Sequence, residues 1–314
     1  MSTAGHGPSF AKYKKEYTDV CLSACCDLNE DKAIAYKEKF GFEKHYTDYK
    51  KMLDEIRPDV VALMSPVNYT KELSISIINM GYNIILEKPP GLNVEEITEM
   101  INATKEKSIY VRTAFNRRYT PLILKLKELI KNKQIFNITY QMYRYGRNDD
   151  DFATTAIHAI DVVKNIAGAD YKKIDFKYQN VPGYSENVVN IYMDAEFENG
   201  TMSQISLVRM GGAVIERLTV NTLGESYFVE LPVWNNLDCP GCIKVIKEAK
   251  LANVIDGNDI AENEMYIQSG FYEENRSFFE MIRNEKSPYS DLESGIQSVD
   301  IANYIRAGKK EYVK

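Results

Sequence analysis

From Met1 to about Phe115, short apolar runs alternate with stretches whose apolar residues recur at helical spacing. Val20 to Cys26 carries no charged residue and stops at Asp27. Val60 to Met64 is apolar at every position, as a strand covered on both faces requires. Ile84–Leu86 and Ile109–Phe115 read as two more strands. Between and before them, Gly7 to about Tyr17, Asn29 to Phe40, the segment marked by Leu73, Ile77 and Met80, and Val94 to Glu106 read as helices. This alternation predicts an α/β domain of the doubly wound, Rossmann-like kind, a parallel sheet with helices on both faces.

After Pro121 the pattern changes. A helix (Leu122 to Lys131), a strand (Phe136 to Tyr145) and a second helix (Thr154 to Ile166) lead into consecutive strands. Val189, Ile191, Met193, Ala195 and Phe197 alternate with polar neighbours, a period of two that buries one face. Asn199-Gly200 then signals a hairpin into Thr201–Met210, and Ile215–Asn221 and Tyr227–Leu231 continue the run. Ile243 to Leu251 is compatible with a helix, and Phe271–Asn284 and Leu292–Ile305 are helices that close the chain. The expectation is a C-terminal α+β domain with a large, mostly antiparallel open sheet, the boundary falling between residues 116 and 117. The uncovered face would pair copies of the chain into a homodimer or homotetramer.

Composition narrows the function. The chain has 314 residues and a net charge of −6, without a basic stripe, which argues against nucleic acid and anionic membranes as partners. No apolar run is long enough to span a bilayer, and Met1 to Tyr17 has no apolar core of a leader. Cys21, Cys25 and Cys26 lie in or beside a buried-strand pattern, which suits a reducing cytoplasm. Cys239-Pro240-Gly241-Cys242 is a lone C-x-x-C with no second ligand pair, so no metal site is expected and a plain turn with two thiols is the default.

The candidate chemistry sits at the ends of the parallel strands. A dinucleotide site needs a strand, a glycine turn and a helix N-terminus facing the pyrophosphate. Gly5 and Gly7 precede the first helix and are the candidates for that turn. Asp27 follows 20 residues after Gly7, where a carboxylate would hold the adenosine ribose and favour NAD while leaving NADP open. The central first strand would have to lie upstream of these residues; either a continuation of the chain supplies it or cofactor binding is lost. Ser65-Pro66, Glu87-Lys88-Pro89 and Phe115-Asn116-Arg117 end three consecutive strands and would line one crevice. In the second domain His158 and Asp161 stand one turn apart on a helix that begins at Thr154. The acidic run Arg147–Asp151 before it reads as a solvated loop, or else as the rim of the site.

Together, Glu87-Lys88-Pro89, the segment Ala114 to Tyr119 and His158-x-x-Asp161 resemble the Gfo/Idh/MocA oxidoreductases, which include glucose–fructose oxidoreductase and inositol dehydrogenase. The resemblance implies NAD(P)-dependent hydride transfer on the alcohol of a sugar or cyclitol. It places catalytic roles at Lys88, His158 and Thr154, the last standing where the family has aspartate. Ala156 and Thr70 are further departures, replacing a family glycine and histidine. By the same resemblance Gly5, Gly7, Asp27, Ser65, Pro66, Glu87, Lys88 and Asn116 would face the cofactor, and Arg117, Tyr119 and Asp161 the substrate. The alternative is a non-redox or regulatory relative that binds a small ligand without turnover. A third reading is an assembly protein that uses only the open sheet.

Overall fold

The structure is a computed structural model and describes residues 2–105, 107–234, 236–284 and 290–314. The chain forms two compact units: residues 1–91, 95–114 and 271–293 in one, and 92–94, 115–270 and 294–314 in the other. The sequence suggests a single boundary at 116/117, whereas the chain returns to the first unit near its C-terminal end.

In the first unit, residues 2–6 make a π-helical turn that runs directly into α1 (Gly7–Glu16). There follow β1 (Ala24–Cys26), α2 (Glu30–Phe40), β2 (Lys44–Tyr46), α3 (Tyr49–Ile56), β3 (Val60–Leu63), α4 (Val67–Asn79), β4 (Asn83–Glu87), α5 (Val94–Thr104) and β5 (Val111–Ala114). The last residue of the expected helix 94–106 lies outside the described residues. All ladders here are parallel, but they form two separate sheets, β1–β2 and β3–β4–β5. The division falls where a doubly wound sheet would hold its first strand, and no described strand pairs with the other edge of β1 or of β3.

The returning segment, α9 (Phe271–Arg283), is amphipathic and lays its apolar side against α1: Phe279 packs on Phe10 and Tyr13, and the Tyr13 hydroxyl donates to Glu280 at 2.9 Å. It is fastened to β5 as well. Arg112 donates to the Glu274 carbonyl oxygen at 3.2 Å and to Ser277 Oγ at 2.9 Å, and Asp291 accepts from the Thr113 amide at 2.7 Å. Buried polar backbone and side-chain groups satisfied this way fix where the helix docks.

The second unit holds α6 (Pro121–Leu129), β6 (Ile135–Tyr143), α7 (Ala153–Ala167), β7 (Tyr171–Asn180), β8 (Val189–Phe197), β9 (Met202–Val208), β10 (Ile215–Thr222), β11 (Glu225–Leu231), β12 (Cys242–Lys247), β13 (Lys250–Asp256), α8 (Met265–Gln268), α10 (Leu292–Arg306) and β14 (Glu311–Val313). Nine strands form one sheet in the order β13-β12-β11-β10-β6-β9-β8-β7-β14, antiparallel except for the β6–β9 pair. Asn199-Gly200 turns β8 into β9 as the sequence suggests, with Gly200 at φ 84°. Residues 243–251 are not helical. They belong to the β12–β13 hairpin, whose turn residues Glu248 and Ala249 have φ 49° and 60°. Positive φ at both central turn positions matches the right-handed strand twist, and Ile243, Val245 and Ile246 favour the extended chain.

One face of this sheet is core, with Ile138, Tyr140, Met193, Phe197, Leu207 and Val229 packed against α6 and α7. α7 is apolar almost all round and correspondingly buried, from Ala156 and Ile157 to Val163, and Gly168 at φ 71° ends it. The opposite face, including Gln141, Tyr192, Asp194, Gln204 and Phe228, is half-buried or exposed. Among the described residues no helix is long and apolar enough to cross a membrane.

Candidate active site

Glu87 is the last residue of β4, Lys88 follows it, and the Lys88–Pro89 peptide is cis. Lys88 is half-buried. Glu87 is largely buried, and the fully buried His6 ring places Nε2 3.2 Å from its Oε1, while His6 Nδ1 lies 3.2 Å from Asn275 Oδ1. Burial alone would raise the Glu87 carboxyl, but the His6 hydrogen bond, with the His6 and Lys88 charges, holds it below the usual carboxylate range. Glu87 is therefore an anion fixed by the N-terminal turn. Although His6 is one of only three histidines in the chain, its role depends on a residue 81 positions away and is invisible locally.

The neighbouring strand ends are arranged as follows. Asp27 is exposed after β1, and its Oδ1 accepts from the Asn29 amide at 2.9 Å. Ser65 Oγ and Thr70 Oγ1 are 3.1 Å apart, and Thr70 also donates to the Pro66 carbonyl oxygen, at 3.3 Å, in the first turn of α4. The glycine turn is occupied differently. A Cβ on Gly5 would stand 2.7 Å from the Phe271 ring, and one on Gly7 would stand 2.5 Å from the Phe40 ring. Aromatic rings pack closely against both glycines. Because residues 2–6 are themselves helical and Pro8 has no amide hydrogen, the start of α1 does not present a free set of donors.

In the second unit, His158 lies on α7 and is 6% exposed, and Thr154, one turn earlier, is half-buried with its hydroxyl donating to the Asp151 carbonyl oxygen at 2.9 Å. Three residues expected to face ligands are committed to the protein instead. Asp161 is buried and takes a two-point ion pair from Arg118, at 2.7 and 2.5 Å. Arg117 is buried against Glu216, at 2.9 and 3.2 Å, and Asn116 donates to the Ser269 carbonyl oxygen at 2.8 Å. Glu216 also receives Arg144 and the Tyr140 hydroxyl. Burial would raise its carboxyl, yet the Arg117 and Arg144 charges prevail and hold it at about 2. Tyr119, in the same 3₁₀ turn, is half-buried.

The C-x-x-C turn shows no chemistry of its own. Cys239 Sγ lies 3.4 Å from Asn263 Oδ1 and Cys242 Sγ 3.7 Å from Glu230 Oε2, and burial pushes both thiols up. Among the described residues no group of three or more His, Cys, Asp and Glu side chains is placed to hold a metal.

Parallel strands alternating with helices, with Asp27 after β1, Ser65-Pro66 after β3 and Glu87-Lys88-Pro89 at the end of β4, are the architecture of the Rossmann class. Residues 3–115 match the model of an oxidoreductase family with an NAD-binding Rossmann fold. The myo-inositol 2-dehydrogenase of Thermotoga maritima is 34% identical over 129 residues, 41% of this chain and 39% of that protein. The D-glucoside 3-dehydrogenase of Escherichia coli is 29% identical over 122 residues, 39% of this chain and 35% of its own length. The matched region thus spans well under two thirds of these curated relatives. A solved levoglucosan dehydrogenase in complex with NADH and L-sorbose superposes with a TM-score of 0.80 at 18% identity, covering 99% of this chain and 95% of that one, which establishes the common fold.

NAD is the cofactor of that family fold. The exposed Asp27 carboxylate, the Ser65-Pro66 turn and Lys88 suit its ribose and nicotinamide portions. The ring-packed Gly5–Gly7 turn does not supply a cradle for its pyrophosphate.

Proposed function

We propose that this chain is an NAD-dependent oxidoreductase acting on a secondary alcohol of a sugar or cyclitol. The observation that carries the reading is the position of Lys88: half-buried, directly after a central parallel strand and beside the anionic Glu87, within a region that matches the NAD-binding family. Lys88 donates a hydrogen bond to the carbinol oxygen and stabilises the negative charge that develops there. His158, by the resemblance, is the candidate general base. Thr154 hydrogen-bonds a substrate hydroxyl but does not accept a proton at neutral pH. NAD, when bound, supplies the hydride acceptor. The inositol, glucoside and levoglucosan named for the relatives support the substrate class. The same reading includes pairing of copies through the open sheet face and a cytoplasmic location.

A second reading, a relative that binds a small ligand without turnover, is favoured by one feature, the closure of the Gly5–Gly7 turn by Phe271 and Phe40. Thermal shift with NADH and NADPH, followed by NAD reduction with a polyol panel, separates the two. A ligand present at 100 times its Kd adds about 2.7 kcal/mol of stability. Stabilisation with reduction supports the dehydrogenase, and stabilisation without reduction supports the second reading.

A further inference from the structure

The segment between β6 and α7 has no regular structure, yet one buried side chain holds it from below. Arg209, just past the end of β9, is 1% exposed, and its three guanidinium nitrogens all donate to main-chain oxygens. Nε donates to the Arg147 carbonyl oxygen at 3.0 Å, Nη1 to that of Asn187 at 3.0 Å, and Nη2 to that of Asp149. Its guanidinium carbon stands 4.7 Å from the centre of the Phe152 ring, the residue from which α7 starts. The loop is then tied to the first turn of α7 by two further bonds: Arg147 Nη2 donates to Thr155 Oγ1 at 2.9 Å, and Thr154 Oγ1 donates to the Asp151 carbonyl oxygen at 2.9 Å.

We infer that Arg209 is a positioning residue for the substrate end of α7, setting where Thr154, and one turn on His158, meet the alcohol. A planar fork with several fixed donors can hold carbonyls that diverge from one loop, whereas the single ammonium of lysine cannot reach them together. A cation engaged by neutral carbonyls rather than by one carboxylate serves to shape backbone. Two of this loop's carboxylates are paired with other arginines, Asp149 with Arg147 and Asp151 with Arg306. This inference rests on the dehydrogenase reading for its kinetic consequence, but not for its structural one.

The test uses the full chain with Arg209→Lys and Arg209→Met, and Lys177→Met on the exposed side of β7 as a surface control. Hydrogen exchange is read over residues 145–156 and over the β12–β13 hairpin, and kinetics are read with myo-inositol and methyl glucoside. The expected result is exchange at least tenfold faster in 145–156 for both Arg209 variants, with the hairpin unchanged. KM for the alcohol rises about tenfold in Arg209→Lys, kcat falls less than threefold and NADH affinity is unchanged. Unchanged exchange in 145–156 for Arg209→Lys overturns the inference, as does a loss shared equally between NADH affinity and alcohol KM. If wild-type protein reduces no NAD with any alcohol, the dehydrogenase reading fails separately, and the exchange measurement still decides whether Arg209 clamps the loop. Should Arg209→Met fail to fold, Arg209→Lys alone is decisive.

Discussion

The His6 ring places Nε2 3.2 Å from Glu87 Oε1, so the carboxylate that precedes Lys88 is held by the N-terminal turn. This contact joins the start of the chain to the strand end that carries the proposed electrophilic lysine. It also gives the Glu-Lys-Pro motif a physical content: a buried anion with a cation beside it, at the end of a parallel strand.

The Glu216 cluster is a source of acid sensitivity. Its carboxyl is held at about 2 by Arg117 and Arg144 against the cost of burial, below the ordinary glutamate value it regains on unfolding. Its contribution is complete above the unfolded value and is lost as pH falls toward about 2. Glu216→Gln leaves two buried guanidiniums short of charge and costs about 3–5 kcal/mol at neutral pH. Urea unfolding at about pH 7 and about pH 3 checks this: the wild type weakens between the two, and the variant weakens less.

Asp161 is predicted to act on stability and not on substrate selection. Asp161→Asn leaves Arg118 with half its partner and lowers stability by about 3 kcal/mol. For a unit of this size that is a fall in Tm of roughly 6–12 °C. The ratio of kcat/KM between two alcohols stays within about twofold of wild type. A change of preference between alcohols with Tm unaltered would return Asp161 to the substrate.

Gly7→Ala places a methyl 2.5 Å from the Phe40 ring, so the fold has to yield whether or not NAD is present. The expected cost is about 1–3 kcal/mol, read as a lower Tm in cofactor-free protein. If the apo Tm is unchanged and only NADH affinity falls, the glycine serves a ligand after all.

Thr154→Asp restores a carboxylate one helical turn before His158. A negative charge nearby favours the protonated imidazole, so the acid limb of the pH–kcat/KM profile moves to higher pH by about one unit. An unmoved limb would mean that residue 154 does not sense the base.

The alternation of apolar runs and helical spacings made the parallel domain legible up to Phe115, and the period-two strand Val189–Phe197 with its Asn-Gly turn was legible to the residue. Residues 44–56 fall outside the predicted elements. β2 has only three residues, but α3 carried a readable signature, Asp48 as a cap before apolar positions Tyr49, Met52, Leu53 and Ile56. The β12–β13 hairpin imitates a helix because Ile243, Ile246 and Ala249 fall three apart, and its turn uses Glu and Ala where glycine or asparagine would have announced it. Of the site, Lys88 and His158 stood out by motif. The partners of Arg117, Asp161 and Asn116 did not, because Glu216, Arg118 and Ser269 are brought to them by sheet register and loop packing that no local spacing encodes.

The central claim is that Lys88 stabilises the oxygen of an alcohol that this chain oxidises. It is tested most directly by NAD reduction with myo-inositol and glucosides in wild type and Lys88→Met. The change should lower kcat/KM by about 100-fold or more. Wild-type protein that reduces NAD while Lys88→Met keeps full kcat/KM would contradict it.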